Sequence, residues 1–358
     1  MTKNSKSLVS NDLIKKIISA SSNKHISVLE DSKILNNKDF ITTSIPAINL
    51  ALSGRLDGGF KPGLMMIAGP SKHFKTLFML FLMKEYLDKY PQAVAVLYDA
   101  EFGAALEYFA SLDIDPKRVV HSPITDVEQL KSEIMNLLTS IERGEKVFIA
   151  LDSVGNLASA KEVQDALDSK QVADMTRAKA LKSLGRMITP HLNIKDIPMV
   201  VVNHTYQTME MFSKAVVGGG TGLMYSSDDV WIIGRQQEKE TSGEKKLIGW
   251  NFIINIEKSR SVNEKSKIPV TVIKGAGIYK YSAILDLALD SGHITKPANK
   301  TYELTSDGTI VKEKDIDVIL KRLMTDVSFN EYVETKYKLS SSKLVNSDDE
   351  ENEILEDE

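Results

Sequence analysis

The chain has 358 residues, of which 42% are hydrophobic and 26% are charged. These fractions are typical of a soluble globular protein and exclude a wholly disordered or fibrous chain. The absence of cysteine from the sequence excludes disulfides, zinc ribbons, iron–sulfur clusters and thiol catalysis. The polar start of the sequence lacks a signal-peptide pattern, and the longest apolar runs are only about strand length. We therefore expect a cytoplasmic protein with no membrane span.

The formal net charge of -4 is unevenly distributed along the chain. The segment Asp348–Glu358 carries eight acids and no base, which leaves the rest of the chain with a net charge of +4. A mildly basic body with an acidic tail is typical of proteins that meet nucleic acid, where the tail competes for the basic surface. The alternative is a tail that only aids solubility. Both interpretations predict a disordered acidic tail over residues 341–358.

The first predicted element in chain order is a short helix that Asn11 or Asp12 could cap. Its apolar side chains fall on one stripe of the helix: Leu13, Ile14, Ile17 and Ile18. A helix this short is marginal alone, so the stripe must pack against the protein's own core or against another subunit. The following residues, up to residue 40, are polar and linker-like.

Residues 41–275 alternate apolar runs with helical patterns. Nearly unbroken apolar strands are typical of a parallel sheet that is covered on both faces. We therefore predict an α/β fold, a doubly wound and mostly parallel sheet with an antiparallel extension, and a small C-terminal α/β unit over residues 276–340. The predicted strands are 64–68, 93–98, 147–151, 199–202, 230–233 and 252–256, and the predicted helices are 75–89, 126–142 and 162–189.

A segment similar to a P-loop follows the first predicted strand and opens a helix: Gly69, Pro70, Ser71, Lys72, His73, Phe74, Lys75 and Thr76. In such a loop the backbone N–H groups point at an anion, and the helix N-terminus adds its positive end. Lys75 would reach the β- and γ-phosphates of ATP, and the Thr76 hydroxyl would bind Mg²⁺. Phe74 stands in place of the second glycine, so the alternative is a surface turn before a basic helix.

Three further predicted strands end in polar residues. Asp152 could hold the shell of a Mg²⁺ ion, as P-loop NTPases require, although a helix cap is a common alternative. Glu101 could orient and deprotonate an attacking water, although it could also be an exposed loop acid. His204 could sense the γ-phosphate, although a lone histidine is more often structural. Because carboxyl ends of parallel strands meet at one edge of a sheet, we expect these residues to converge on one triphosphate.

Eight segments of the sequence resemble, in the same order, the RecA family of ATP-driven DNA strand-exchange proteins, and above all its UvsX branch in T-even-type phages. They are ALSGRLDGG (51–59), GPSKHFKT (69–76), LYDAEFG (97–103), EKVFIALDSVGNLAS (145–159), DMTRAKALKSL (174–184), VNHTYQTMEMFSK (202–214), VGGGTG (217–222) and IEKSR (256–260). Phe74 in place of glycine is a feature of the UvsX branch. The C-terminal part of the chain matches this branch less well.

The resemblance implies roles for individual residues. It implies that the chain is a DNA-dependent ATPase. It also implies that cations from one subunit reach the ATP bound to the next subunit, so that hydrolysis depends on assembly. The implied roles are Glu101 as catalytic base, Lys75, Thr76 and Asp152 as the Walker lysine, hydroxyl and aspartate, Tyr108 as the aromatic that stacks on adenine, His204 as the γ-phosphate sensor, and Lys258 and Arg260 as the cations.

A basic helix and a long segment after His204 occupy the places of the family's DNA-binding elements. On a helical wheel Lys179, Lys182 and Arg186 lie within about 60° of one another, although such a stripe is usually only a solvated face. Residues 205–221 show no regular period, and a loop this long is often functional. The ATP state could set its order. The candidate DNA contacts are Arg177, Lys179, Lys182, Tyr206, Phe212, Lys214, Gly218, Gly219 and Gly220.

The resemblance further implies ATP and Mg²⁺ as cofactors and a helical filament on single-stranded DNA that pairs it with homologous double-stranded DNA. It implies that residues 1–40 form a polymerisation segment, and it suggests a single-strand-binding protein and a recombination mediator as partners. Two alternatives remain. A hexameric RecA-fold DNA helicase would share the nucleotide site but close into a ring, and a non-hydrolysing filament mediator would lack DNA-stimulated hydrolysis.

Overall fold

The computed structural model describes residues 11–36, 40–169, 175–207, 215–239 and 247–340. The helices in these ranges are α1 (Asn11–Ala20), α2 (Lys33–Asn36), α3 (Pro46–Ser53), α4 (Lys75–Lys89), α5 (Leu106–Ser111), α6 (Val127–Ser140), α7 (Ala160–Leu167), α8 (Thr176–Lys195), α9 (Thr221–Ser226), α10 (Ile284–Asp290), α11 (Asp317–Leu323) and α12 (Val327–Tyr337). The strands are β1 (Gly63–Gly69), β2 (Val94–Asp99), β3 (Val119–Pro123), β4 (Val147–Asp152), β5 (Pro198–Gln207), β6 (Ala215–Val217), β7 (Asp229–Lys239), β8 (Leu247–Lys258), β9 (Lys267–Ile273), β10 (Gly277–Ile278), β11 (Ile294–Ala298), β12 (Thr301–Leu304) and β13 (Thr309–Lys312).

A ten-stranded sheet organises the molecule, in the order β10-β9-β8-β7-β1-β5-β4-β2-β3, with β6 paired to β5 outside this path. The pairs from β7 through β1, β5, β4 and β2 to β3 are parallel, and those from β7 to β10 are antiparallel. The predicted α/β fold, a mostly parallel sheet with an antiparallel extension, is therefore confirmed. The predicted strands 64–68, 93–98, 147–151 and 199–202 correspond to β1, β2, β4 and β5, which are neighbours in the order β1-β5-β4-β2.

Two hydrophobic cores cover the two faces of this sheet. Successive side chains of a strand point to opposite faces, and β1 divides accordingly: Met65 and Ile67 belong to one core, and Leu64, Met66 and Ala68 to the other. Every residue of β1 is buried. This double burial is the physical reason that the parallel strands read as unbroken apolar runs.

The helical pattern predicted over residues 162–189 is divided between two helices, α7 and α8, and α8 continues to Lys195. The start of α7 is fixed by a capping box, in which Ser159 Oγ accepts from the backbone N–H of Glu162 at 3.0 Å and the Glu162 carboxylate accepts from the N–H of Ser159. The motif S-x-x-E at residues 159–162 was a readable sign of this boundary.

The segment after His204 was predicted to be irregular, and this prediction is wrong for its two ends. β5 continues to Gln207, and β6 returns beside it as an antiparallel partner, with Tyr206 opposite Val216. Threonine, tyrosine and valine favour strands, which explains the ladder. The candidate DNA contacts Phe212 and Lys214 lie outside the described residues, so they stay predictions.

The first described helix and the C-terminal unit differ in how far they are buried. The predicted N-terminal helix is present as α1, and none of its residues is buried; Leu13 and Ile17 are each more than half exposed. The small sheet β11-β12-β13 and helices α10 to α12 form the C-terminal unit, whose buried side chains join one of the two cores of the large sheet. The domain boundaries at residues 40, 275 and 340 stay predictions. None of the described helices has the length and apolar character that a membrane crossing needs.

Candidate nucleotide and DNA site

The carboxyl ends of four neighbouring strands meet at a single cleft. Gly69 at the end of β1 pairs with His204 in β5, and Asp99 at the end of β2 pairs with Asp152 at the end of β4. The cleft has a volume of about 320 Å³. Its lining brings together most of the predicted nucleotide residues: Ser71, Lys72, His73, Phe74, Lys75, Thr76, Glu101, Tyr108, Asp152 and His204.

Phe74 adopts the backbone conformation that its position in the loop demands. Its φ of 64° lies in the left-handed region, as glycine would allow without strain. Its ring stacks on Phe252 at a centroid distance of 4.9 Å and meets Phe78 edge-on at 5.5 Å. These aromatic contacts offset the backbone strain, which explains how a phenylalanine can replace the second glycine without disrupting the loop.

Lys75 is the first residue of α4, and its ammonium group is held inside the loop. Only 6% of Lys75 is exposed, and Nζ donates to the carbonyl oxygen of Pro70 at 2.8 Å. Burial lowers the pKa of Lys75, and the nearby carboxylates of Glu101 and Asp152 oppose this shift. A buried cation whose hydrogen bond goes to a neutral carbonyl suits the binding of an anion such as a triphosphate.

Asp152 and Thr76 form the part of the cleft that could hold a metal ion. Thr76 Oγ1 donates to Asp152 Oδ2 at 2.8 Å, and Asp152 Oδ1 is buried with no hydrogen-bond partner among the described residues. Burial raises the pKa of Asp152 to about 6, and the carboxylates of Glu101 and Asp99 add to the shift. An orphaned carboxylate oxygen beside a hydroxyl fits Mg²⁺, which prefers oxygen ligands.

Glu101 faces His204 across the cleft, with Oε2 3.3 Å from Nε2 of the imidazole. The ring of His204 packs tightly on Gly155, since a Cβ at that position would lie 2.4 Å from His204 Cδ2. Tyr108 lies on α5 and is 42% exposed, so its ring is free to receive a flat ligand. The carboxylate and the imidazole thus face each other within the same cleft as Lys75 and Asp152.

Lys258 and Arg260 do not lie in this cleft. Lys258 is the last residue of β8 and pairs with Val230 near the start of β7, and its Nζ donates to the carbonyl oxygens of Tyr225 at 2.7 Å and Ser227 at 2.6 Å. Arg260 pairs with Asp228 at 2.6 Å and lines a separate cavity of about 220 Å³ beside the amino end of β1. A role toward ATP therefore requires a second copy of the chain, as the prediction assumed.

The predicted basic helix presents exposed cations. Lys179, Lys182 and Arg186 of α8 are all exposed, in agreement with the helical wheel. Arg177 differs, because its guanidinium donates to the carbonyl oxygens of Leu157 at 2.6 Å and of Val154 and Gly155 at 2.9 Å each. Most of its hydrogen-bonding capacity is used within the chain, so the structure favours a role in holding the turn after β4.

The three glycines at 218–220 lie beside the first turns of α8. Gly219 has a φ of 80°, and a Cβ there would lie 2.8 Å from Leu181 Cδ1, so only glycine fits without displacement. The backbone N–H of Gly218 donates to the carbonyl oxygen of His204 at 2.9 Å. Asn203 adds a second link, since its Nδ2 donates to the carbonyl oxygen of Gly218 at 3.0 Å. Tyr206, on the same hairpin, is 58% exposed.

Two contributors to the site are marked by no local motif. Arg235 of β7 donates to the carbonyl oxygen of Lys72 in the P-loop-like turn at 3.0 Å, and its guanidinium lies 4.2 Å from the centre of the Trp250 ring. Asn203 is 1% exposed and joins β5 to the glycine segment. Both contacts depend on which strands become neighbours in the sheet. The spacing of residues within one segment therefore could not have predicted them.

Several known proteins are similar in sequence to this chain over most of its length. The recombination and repair protein of enterobacteria phage T4 is 50% identical over 291 residues, which cover 81% of this chain and 74% of the phage protein. The RecA protein of Phytoplasma mali is 23% identical over 308 residues, covering 85% of this chain and 88% of that protein. The RecA protein of an Arthrobacter species is 27% identical over 263 residues, covering 70% of each chain. No protein-family model matches. The chain belongs to the RecA family of DNA recombination and repair proteins, on the branch that includes the phage T4 protein.

Proposed function

We propose that this protein is an ATP-dependent DNA recombinase that forms a helical filament on single-stranded DNA and catalyses homologous pairing and strand exchange. Membership of the RecA family supports a DNA-dependent ATPase in general. The observation that carries the proposal is the convergence of Lys75, Asp152, Glu101 and His204 on one cleft at the carboxyl edge of the sheet.

The cleft residues divide the work of phosphoryl transfer to water. Residues 69–76 would bind the phosphates of ATP, with the Lys75 ammonium group on the β- and γ-phosphates. Thr76 and Asp152 would hold Mg²⁺, which when bound neutralises charge on the phosphates. Glu101 would orient the attacking water and take its proton, and Tyr108 would stack on adenine.

A hydrogen-bonded connection supports coupling between nucleotide and DNA. His204 faces Glu101 on the nucleotide side, and its backbone carbonyl accepts from Gly218 on the hairpin side. A γ-phosphate that repositions His204 would therefore shift the segment that follows Gly218. Since ordering of a loop is a common way to transmit nucleotide state, we propose that ATP sets the DNA affinity of this hairpin.

The DNA-facing surface would use cations and backbone rather than base-specific contacts. Lys179 and Lys182 of α8 would bind phosphates, and Tyr206 would stack on bases. Gly218, Gly219 and Gly220 allow a close approach of the backbone to the strand. Phe212 and Lys214 complete the proposed surface. Sequence recognition would then be left to base pairing.

Assembly would complete the site. Lys258 and Arg260 would reach the ATP of the next subunit and neutralise transition-state charge, and α1 would pack its apolar stripe on a neighbouring copy. We further propose that a single-strand-binding protein and a recombination mediator act with the filament. Because the substrate is DNA inside an infected cell, we propose the host cytoplasm as the place of action.

Strand exchange between homologous DNAs with ATP and Mg²⁺ tests the proposal. The wild-type chain should exchange homologous strands but not heterologous ones, and electron microscopy should show open filaments rather than rings. Lys75→Ala should abolish hydrolysis. Glu101→Gln should bind ATP with near-normal affinity, hydrolyse it at least about 100-fold more slowly, and stay on DNA. Rings with translocase activity, or filaments without DNA-stimulated hydrolysis, would contradict the proposal in favour of a helicase or a mediator.

A further inference from the structure

Asp99 has no role in the proposed reaction, yet it lies beside the residues that do. It ends β2, where it pairs with Asp152 of β4 on one side and with Pro123 of β3 on the other. Only 3% of Asp99 is exposed. A buried carboxylate is costly unless its oxygens are hydrogen-bonded, so the partners of this group indicate what it holds in place.

Both carboxylate oxygens of Asp99 have partners. Oδ1 accepts from the backbone N–H groups of Glu101 at 3.1 Å and Phe102 at 2.7 Å. Oδ2 lies 3.1 Å from Nε2 of His121 on β3. The imidazole therefore holds one oxygen of the carboxylate, while the other oxygen holds the turn that carries Glu101.

The same turn is fixed from a second side. The N–H groups of Ala100 and Glu101 donate to the carbonyl oxygen of Asp152 at 2.7 Å and 3.1 Å. Phe102 has a φ of 55°, a conformation that a residue other than glycine keeps only when its surroundings hold it. Together these bonds set the backbone of Glu101 relative to β4, the strand that ends in the Mg²⁺-binding carboxylate.

We infer that Asp99 is a positioning residue for Glu101, and that His121 braces Asp99 in this role. The inference rests on the proposed function, in which Glu101 activates the attacking water. Glu101 Oε2 lies 3.3 Å from His204 Nε2 across the cleft, so a small rotation of the turn at residues 100–102 would carry the carboxylate away from His204, the proposed γ-phosphate sensor. A misplacement of about 1 Å in a reacting group costs up to roughly 100-fold in rate.

Steady-state ATP hydrolysis by the full-length chain with single-stranded DNA tests the inference. Asp99→Ala removes both acceptor oxygens and is expected to lower kcat by about 10-fold to 100-fold. The dissociation constant for ATP should change by less than about twofold, because Asp99 makes none of its side-chain hydrogen bonds to the P-loop-like segment. Asp99→Asn keeps an acceptor for the two N–H groups and should retain about half of kcat or more.

Variants of His121 provide a second, milder perturbation. The side chain is half exposed, so its replacement endangers folding less than that of Asp99. His121→Leu removes the brace and should lower kcat by about 3-fold, in line with the loss of one hydrogen bond. His121→Gln places an amide nitrogen near the position of Nε2 and should restore most of this loss.

A double variant separates positioning from a general effect on the fold. If Asp99 acts through Glu101, then Asp99→Ala should cause no further loss in the Glu101→Gln background, whereas independent effects would multiply. Asp326→Ala is the matched control, because Asp326 also accepts a backbone N–H, from Phe329 at 2.9 Å, but in the C-terminal unit. This control should lower stability and leave kcat unchanged.

The outcomes distinguish this inference from the proposed function. A wild-type chain that shows no DNA-stimulated hydrolysis contradicts the proposed function itself. If wild type hydrolyses ATP, an undiminished kcat in Asp99→Ala overturns the positioning role alone. A variant that loses ATP affinity but keeps its kcat also overturns it. A loss of kcat that multiplies with the loss caused by Glu101→Gln overturns it as well. Should Asp99→Ala fail to fold, equal rates for wild type and His121→Leu overturn it.

Discussion

Phe74 provides a quantitative test of how the nucleotide loop is stabilised. Replacing it with alanine removes the stacked contact with Phe252 and the edge contact with Phe78 but keeps a side chain at a φ of 64°. Replacing it with glycine removes the same contacts and also relieves the backbone strain. The two variants therefore differ mainly in backbone terms.

The expected magnitudes follow from these contacts. Two aromatic pairs contribute about 0.5–1.5 kcal/mol each, so Phe74→Ala should lower the free energy of unfolding by about 2 kcal/mol. A left-handed conformation costs a residue with a Cβ about 1–2 kcal/mol, and the greater unfolded-state freedom of glycine offsets about 0.5–1 kcal/mol of the relief. Phe74→Gly should therefore be more stable than Phe74→Ala by about 0.5–1 kcal/mol.

Urea unfolding of the three proteins without nucleotide measures this order. The account predicts that wild type is the most stable, followed by Phe74→Gly and then Phe74→Ala, with ATP affinity retained in the glycine variant because it restores the ordinary loop motif. An alanine variant as stable as the glycine variant would refute the backbone strain. If both variants were as stable as wild type, the stabilising role of the aromatic contacts would be refuted.

Three further predictions concern the cleft and the basic helix. The pKa of Asp152 is about 6 in the folded protein and ordinarily 3.8, so the ionisation of this group destabilises the folded state as pH rises through that window. In urea unfolding without Mg²⁺ or ATP, Asp152→Asn should therefore match the stability of wild type at pH 4 and exceed it by about 3 kcal/mol at pH 7.5. Equal stability of the two proteins at both pH values would contradict this. Arg177→Leu should lower the free energy of unfolding by about 2 kcal/mol. Lys179→Ala should leave the free energy of unfolding unchanged but reduce the slope of log affinity for DNA against log salt concentration by about one. The reverse pattern would make Arg177 the DNA contact. Tyr108→Ala should raise the KM for ATP about 10-fold with kcat retained, and an unchanged KM would exclude stacking on adenine.

The parallel strands and the nucleotide loop could be predicted because their signals are local. Strands buried on both faces require unbroken apolar runs, and the polar residues that follow them lie at one edge of the sheet by the geometry of parallel pairing. Asp152 and Glu101 were located in this way. The bounds of α4 agree with the prediction, since the last residues of the P-loop-like segment, Lys75 and Thr76, form the start of the helix.

The errors arose where one pattern was extended over two elements and where a strand end was taken for a loop. Residues 160–167 were joined to the following basic helix, yet the capping box at Ser159 and Glu162 starts a separate helix there. Tyr206 read as part of an irregular loop because its partner, Val216, lies on a strand only three residues long. A short ladder of this kind is specified by pairing between strands rather than by the pattern of either strand alone.

The supporting contacts of the site lie beyond any local pattern. Asp99 and His121 are 22 residues apart in sequence, and Arg235 is 163 residues from the loop carbonyl it holds. These pairs form only once the strand order is set, and each side chain alone could equally face solvent. The residues at the strand ends were therefore predictable, whereas the residues that orient them were not.

The central claim is that Lys75, Asp152, Glu101 and His204 act on one triphosphate at the edge of the parallel sheet. A cryo-electron microscopy map of the full chain with single-stranded DNA, Mg²⁺ and a non-hydrolysable ATP analogue tests it most directly. The account predicts a γ-phosphate within hydrogen-bonding distance of Lys75 and His204, with the metal beside Thr76 and Asp152. A nucleotide bound outside this cleft, or a Glu101 carboxylate turned away from the γ-phosphate, would contradict it.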